Sequence, residues 1–297
     1  MNKNEVKGNI LLFITAVVWG FAFVAQRVGA QIIGSFSFNG IRFALGATAL
    51  IPLMVRLHHK RSSLPIKNEL KKAILPGALL GSVLFIAASL QQIGLMYTTA
   101  GNAAFITGMY IILVPIIGIF FKHKLSLKTI SSSILALTGL YFLTVSESMA
   151  INIGDIYQLV GAVFWAIHIL FIDYFVRKYD ALKLSIFQFY TCALLSAIIA
   201  YSIETTTLNT VYEALVPILY GGLVSVGIGY TLQIVGQRHA KPSHAAIILS
   251  MEAIFGVVGG MLLLGEVLSS RGYLGIILMF SGMVLSQMNF KKKVISE

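Results

Sequence analysis

Apolar residues in this chain neither alternate with polar ones nor keep to one narrow helical stripe. They run on for about twenty positions at a time between short polar breaks. Ten such runs stand out, at 9–26, 35–55, 73–96, 101–121, 126–145, 156–175, 184–202, 212–235, 243–264 and 272–290. About 20 helical residues cross the roughly 30 Å of hydrocarbon in a bilayer, so each run predicts one crossing. A membrane-spanning strand would instead show about ten residues of alternating character. The pattern therefore predicts an all-α polytopic membrane protein with ten transmembrane helices. The tightest turns fall at "MYTTAG" and "GQRHAKPS".

Composition agrees with that medium. Hydrophobic residues make up 57% of the 297, charged residues only 11%, and the mean hydropathy is +0.87. A water-soluble globule carries about a quarter charged residues. Cys192 is the single cysteine, which excludes an intramolecular disulfide and any thiol-based metal site. No metal site and no cofactor is expected.

Short loops rich in Lys and Arg stay on the cytoplasmic side. With the N-terminus inside, all but three of the 22 Lys and Arg residues face inward, and only Arg27, Arg42 and Arg271 fall on the outer half. Glu147, Asp155, Glu204 and Glu213 then gather in outward loops. The net charge of +11 is thereby a topology signal spread over the inner loops. It is not the concentrated stripe that nucleic acid would need, so no nucleic-acid partner is expected. The first twenty residues have the outline of a signal peptide, but the same pattern recurs inside the chain, and they are read as the first span.

The chain also repeats. A shift of 146 residues places Gly8 on Gly154, Ala16 and Val17 on Ala162 and Val163, and Trp19 on Trp165, the only two tryptophans. At 141, Pro76 and Gln92 fall on Pro217 and Gln233, and at 142, Ala103, Ala104 and Met109 fall on Ala245, Ala246 and Met251. Shared order at nearly constant offset implies a duplication, with one five-helix repeat in 1–150 and a second in 151–297. Five is odd, so the second repeat enters the membrane from the opposite side and lies inverted. Inverted repeats of this kind rock around a site near the midplane.

The five-plus-five layout, a tryptophan in each repeat's first helix, "IRF" at 41–43 and the ending "LLLGEVLSSRGYLGIILMFSGMVL" resemble the EamA-type branch of the drug/metabolite transporter superfamily. The resemblance covers nearly the whole chain, and the "GE" at 265–266 is its most specific piece. It implies a bacterial inner-membrane exporter of small metabolites such as amino acids, with a central cavity lined by the first, third, fourth, sixth, eighth and ninth helices. The chain departs from many relatives in carrying "HK" at 123–124 where they keep an acidic residue.

Polar side chains at mid-depth turn away from lipid. On the first helix Thr15, Trp19, Phe23 and Gln26 share one face by three- and four-residue steps, and on the sixth Gly161, Trp165, His168 and Ile172 do so. The two indoles are expected to face each other across the pseudo-axis and line the cavity; packing between helices, or a place in the interfacial belt, is the structural alternative. Gln91, Gln92, Asn102, Tyr230 and Gln233 add uncharged donors and acceptors able to grip an amino or carboxyl group, or equally to hydrogen-bond one helix to another. Glu252 is the only acid deep in an apolar run, where a carboxyl must be protonated or paired. That makes it the candidate for proton coupling, with His168 and His244 as candidate partners, against a purely structural neutral hydrogen bond. Its repeat-mate is Tyr110, which is counted with the substrate-binding candidates, as are Phe23, His168 and His244. Arg42 is a cation in the outer half: such a residue can steer an anionic solute, but more often it snorkels or pairs with an outer acid, which is the expectation here. Pro115 permits a kink, and the steps Gly77 to Gly81 and Gly256 to Gly260 permit close helix approach.

The chain has no HExxH, no CxxC, no Walker loop and no soluble domain, so an enzyme or an ATP-driven pump is not expected. A secondary carrier in a lipid bilayer, acting on a small solute with protons as the candidate coupling ion, is the leading expectation. A passive channel or a lipid-handling flippase is the alternative. Substrate, direction of transport, proton coupling and its stoichiometry, and oligomeric state are not legible in the sequence.

Overall fold

In the computed structural model the described residues are 3–61, 66–98, 100–144, 153–264 and 267–288. Glu147, the "GE" pair Gly265 and Glu266, Lys291, Lys292 and Lys293, and the boundary between 150 and 151 lie outside them. Among the described residues every regular element is helical. The first three rods are α1 (Lys3–Ala30), α2 (Ser35–Arg61) and α3 (Ile66–Tyr97). The fourth is broken into α4 (Ala100–Gly108) and α5 (Tyr110–Gly118), closed by a 3-10 turn at Ile119–Phe121. There follow α6 (Leu127–Thr144), α7 (Ile153–Val176), α8 (Ala181–Ile203) and a short α9 (Leu208–Glu213). The eighth rod runs from α10 (Leu215–Leu219) through a π-helical stretch, Tyr220–Tyr230, into α11 (Thr231–Gln237). The ninth is broken into α12 (Pro242–Leu249) and α13 (Glu252–Leu264), and α14 (Ser270–Gln287) is the last.

Eight of these rods are long and apolar enough to cross a membrane; Leu127–Leu143 is a shorter apolar helix, and the 18-residue α14 packs along it as the tenth. α2 and α3 outrun their apolar stretches because a helix satisfies its own backbone wherever its side chains sit, and the polar tails "RLHHKR" and "IKNELKK" simply continue it.

The bundle is inside out relative to a soluble protein. Leu75, Phe120, Leu127, Leu262 and Val216 are mostly exposed on its flank, while Gln26, Asn39, Gln92, Gln158, Gln188, Gln233 and Gln237 are buried. That is the arrangement for a lipid solvent, where the wall is apolar and amides hydrogen-bond within. α3, for example, meets α8 at Gly81, where a Cβ would lie 2.5 Å from the carbonyl oxygen of Gln188; only a glycine lets the two backbones approach so closely.

Neighbour relations follow the duplication. α2 packs on its repeat-mate α8, and α6 on its repeat-mate α14. α3 packs on α7 and α8, and correspondingly the eighth rod packs on α1 and α2; α1 packs on α12 and α13, and α7 on α4 and α5. Exchanging the repeats maps this contact pattern onto itself. It is the packing of two five-helix repeats about a pseudo-two-fold axis, and it leaves α1, α3, α7 and the three irregular rods around the centre.

Both ends of the α2–α8 seam are tied across the repeats. At the end where α2 begins, Glu204 accepts from the amides of Phe36 (3.0 Å) and Ser37 (2.8 Å) and from the Ser37 hydroxyl (2.6 Å). This carboxylate satisfies first-turn donors and meets the positive end of the helix dipole. At the opposite end Lys183 donates to Glu69, which also lies 3.4 Å from His58.

Candidate functional site

The fourth and ninth rods break at matching positions. In the fourth the Met109 amide donates to the Ile106 carbonyl (3.1 Å), and in the ninth the Met251 amide donates to Ile248 (3.1 Å), each three residues back rather than four. One such tightened turn interrupts the helix, and a second helical segment begins at the next residue. The break lies six residues before Pro115, which itself sits inside α5. Tyr110 and Glu252 are thus the first residues of two half-helices, and the Tyr110 hydroxyl donates to Glu252 Oε1 at 3.1 Å. Glu252 is 9% exposed and Tyr110 3%. A carboxyl at the start of α13 faces the positive end of that helix dipole.

The indoles do symmetric work. Trp19 of the first repeat donates through Nε1 to the Ser225 carbonyl of the second (3.3 Å), and Trp165 of the second donates to Gln91 Oε1 of the first (2.9 Å). Each ties its own first helix to the other repeat's third. The ring centroids lie 6.5 Å apart, with the Tyr230 ring 4.5 Å from Trp19 and stacked 6.2 Å from Trp165. Such contacts suit the edge and face preferences of aromatic rings. Thr15 adds a bond to the Gly229 carbonyl (3.2 Å). The π-helical stretch "YGGLVSVGIGY" that offers these carbonyls carries four glycines; at Gly229 a Cβ would stand 2.7 Å from the Trp19 Nε1.

These side chains enclose a cavity of about 30 Å³, room for one or two waters and far below the several hundred Å³ of a metabolite site. As it stands, the cavity is too small for a solute of that size. Trp19, Phe23 and Gln26 reach it from α1, Gln91 from α3, Thr107 and Tyr110 from the fourth rod, and Trp165 and Ile169 from α7. Ser225, Tyr230 and Gln233 reach it from the eighth rod, and Leu249 and Glu252 from the ninth. Those are the first, third, fourth, sixth, eighth and ninth spans, joined by Arg42 of the second.

Arg42 differs from the expectation that it would snorkel or meet an outer acid. It is 2% exposed, and no ion pair to it occurs among the described residues. Its Nε donates to Asn39 Oδ1 (2.9 Å), and its guanidinium carbon lies 5.3 Å from the Phe38 ring centroid and 4.8 Å from that of Phe43. Position in the outer half, which suggested snorkelling, carries no information about which way the helix turns the side chain.

Other candidates lie elsewhere. His168 is fully buried behind the wall, its Nε2 3.1 Å from Gln188 Oε1, and Gln92 donates to the Gln26 carbonyl (3.0 Å). His244 opens instead into a vestibule of about 400 Å³ at the end of the bundle that carries Asn4, with Arg177, Arg238, His239 and Lys241. The buried Ala245–Leu249 stretch of α12 stands between it and the cavity. Glu252 accordingly meets Tyr110, not either histidine. The side chain of Asn102 lies outside the described positions.

Residues 6–145 and 152–288 each match the EamA-like transporter family. An uncharacterized transporter of Archaeoglobus fulgidus is 29% identical over 278 residues, spanning 92% of this chain and 83% of that protein. The uncharacterized transporter YoaV of Bacillus subtilis is 22% identical over 294 residues, spanning 97% and 99%. A solved crystal structure at 14% identity superposes with a TM-score of 0.77 over 94% of this chain and 96% of the other, a likeness of fold.

Proposed function

As a member of the EamA-like transporter family, to which both matched halves assign it, the chain is a multi-pass membrane transporter, and we propose that it exports small metabolites such as amino acids by alternating access. In this reading it sits in a bacterial inner membrane with both termini cytoplasmic, and residues 1–150 and 151–297 are the two bodies that rock. The observation that carries the reading is the convergence of Trp19, Trp165, Tyr110 and Glu252 on one closed cavity between the repeats. A cavity of about 30 Å³ admits a solute only if the surrounding helices part, which supports a carrier over a standing pore.

Glu252 is the proposed proton carrier. Tyr110 faces it from α5, and Arg42 and Tyr230 share its cavity. Rocking the halves alters what the carboxyl touches, so that it takes a proton on one side and releases it on the other.

The test is flux in liposomes reconstituted with the purified carrier, against a panel of amino acids, nucleobases, sugars and amphipathic cations, with and without a pH gradient. Saturable flux that the gradient drives is expected for the wild type, and Glu252→Gln is expected to insert normally while losing the response to the gradient. Flux that never saturates would turn the assignment to a channel, and scrambling of labelled lipid to a flippase.

A further inference from the structure

Arg42 is a fixed charge in the wrong place for a merely structural residue. Guanidinium does not lose its proton in proteins, so the cavity holds a permanent cation. Burying such a charge in a bundle without a counter-ion is unfavourable, and the side chain is 2% exposed with no carboxylate in salt-bridge range among the described residues. Yet the surroundings hold it in one pose. Asn39 takes the Nε hydrogen and is itself fixed through Nδ2 to the Ala88 carbonyl (3.2 Å). Phe38 and Phe43 lie against the guanidinium. Gly221 of the π-helical stretch makes room, since a Cβ there would come to 3.3 Å of the Arg42 Cδ. What this leaves is the outer edge with its Nη groups, and Arg42 is on the cavity wall. The rest of that wall supplies the opposite chemistry: Gln233 Oε1 is a buried acceptor without a partner, and Glu252 adds a carboxyl.

Resting on the transporter reading above, we propose that Arg42 is the anion anchor of the central cavity, its free edge pairing with a carboxylate of the transported solute, so that a carboxylate-bearing solute supplies the counter-ion that no described residue places within salt-bridge range. Two parallel N–H bonds match a planar carboxylate. The aromatic wall formed by Tyr230, Trp19 and Trp165, which Phe43 joins at 5.8 Å from Tyr230, takes the apolar remainder of the same solute.

Calorimetric titration of the detergent-purified full chain with phenylacetate and with phenylacetamide tests this, because the two differ in charge at nearly equal size. The wild type is expected to bind the acid about tenfold or more tightly than the amide. Arg42→Gln is expected to bring the two within about threefold, and Arg42→Lys to keep a weaker preference, having the charge without the fork. Asn39→Asp serves if Arg42→Gln does not fold: it supplies an internal counter-ion while leaving Arg42 in place, and the acid preference is expected to collapse. Equal binding of acid and amide by the wild type, binding of neither, or an undiminished acid preference in Arg42→Gln or Asn39→Asp would overturn the anchor. Gradient-driven flux in the liposome assay alongside any of those results leaves the transporter reading standing without it.

Discussion

At Met109 in the fourth rod and Met251 in the ninth the chain makes the same tightened turn, and in both the next residue begins a half-helix facing the cavity. One of those residues is a phenol and the other a carboxylic acid, and they are hydrogen-bonded to each other. Duplication has kept the geometry and divided the chemistry. Two acids at this contact would repel and could not both ionise, whereas a phenol gives the acid a donor. A transporter whose two halves share this backbone thus has, among the described residues lining the cavity, one carboxyl, that of Glu252.

The largest effect is expected from removing the acid's ability to ionise. Glu252→Gln keeps the shape and an acceptor for Tyr110, so stability should move by about 1 kcal/mol or less. Gradient-driven flux should fall about tenfold or more, and a loss of that order is about 1.4 kcal/mol in the rate-limiting step. Full concentrative flux in this variant, at equal amounts of inserted protein, would remove Glu252 from the coupling.

Next is the exchange of the two residues. Glu252→Tyr alone sets two phenols face to face, and Tyr110→Glu alone sets two acids; both are expected to be nearly as inactive as Glu252→Gln. The double variant rebuilds the pair with the acid on the other repeat. If pseudo-symmetry governs the cavity, it should recover flux over either single change, with a coupling of about 1–3 kcal/mol in the cycle. Strict additivity would mean that the two half-helices differ by more than the side chains they carry.

How much of this was visible beforehand differs by feature. Trp19 with Trp165 and Met109 with Met251 aligned at nearly constant offsets, so the repeat and its odd number of helices could be read without coordinates. Apolar run length marked the spans because a bilayer admits little else. The breaks were hidden: "GMY" and "SME" are unremarkable locally, and Pro115, the residue that does announce a disturbance, lies six positions further on. The π-helical stretch was hidden too, since its widened turn leaves no distinct period in an apolar run. Polar residues at mid-depth signalled that they turn inward, but not whether they meet the cavity, as Gln91 does, or a neighbouring helix, as Gln92 and His168 do. That distinction depends on a rotation of a few tens of degrees, which packing decides. The expected snorkelling of Arg42 fails for the same reason.

A smaller effect should follow from Tyr110→Phe, which removes the donor and leaves the carboxyl. Loss of one hydrogen bond to a buried group costs about 1–2 kcal/mol, readable as a lower melting temperature of the purified protein. Flux should fall less than in Glu252→Gln, and its response to a pH gradient should survive. If Tyr110→Phe abolishes that response as fully as Glu252→Gln does, the phenol belongs to the proton path and is not just a support for the acid.

The smallest differences separate the residues just before the two turns. Gly108 faces α6, where a Cβ would stand 2.2 Å from Leu140 Cδ2. Ser250 already has a side chain in the matching place, its hydroxyl donating to the Ile247 carbonyl (2.8 Å). Gly108→Ala must push back one flexible side-chain end and is expected to cost about 1 kcal/mol. Ser250→Ala gives up a local hydrogen bond beside the turn and is expected to cost about 0.5 kcal/mol. Thermal unfolding of both variants in detergent ranks them. If Ser250→Ala were instead the more damaging, the ninth rod's break would depend on that hydroxyl holding the Ile247 carbonyl, and the two turns, alike in backbone, would be held open by different means.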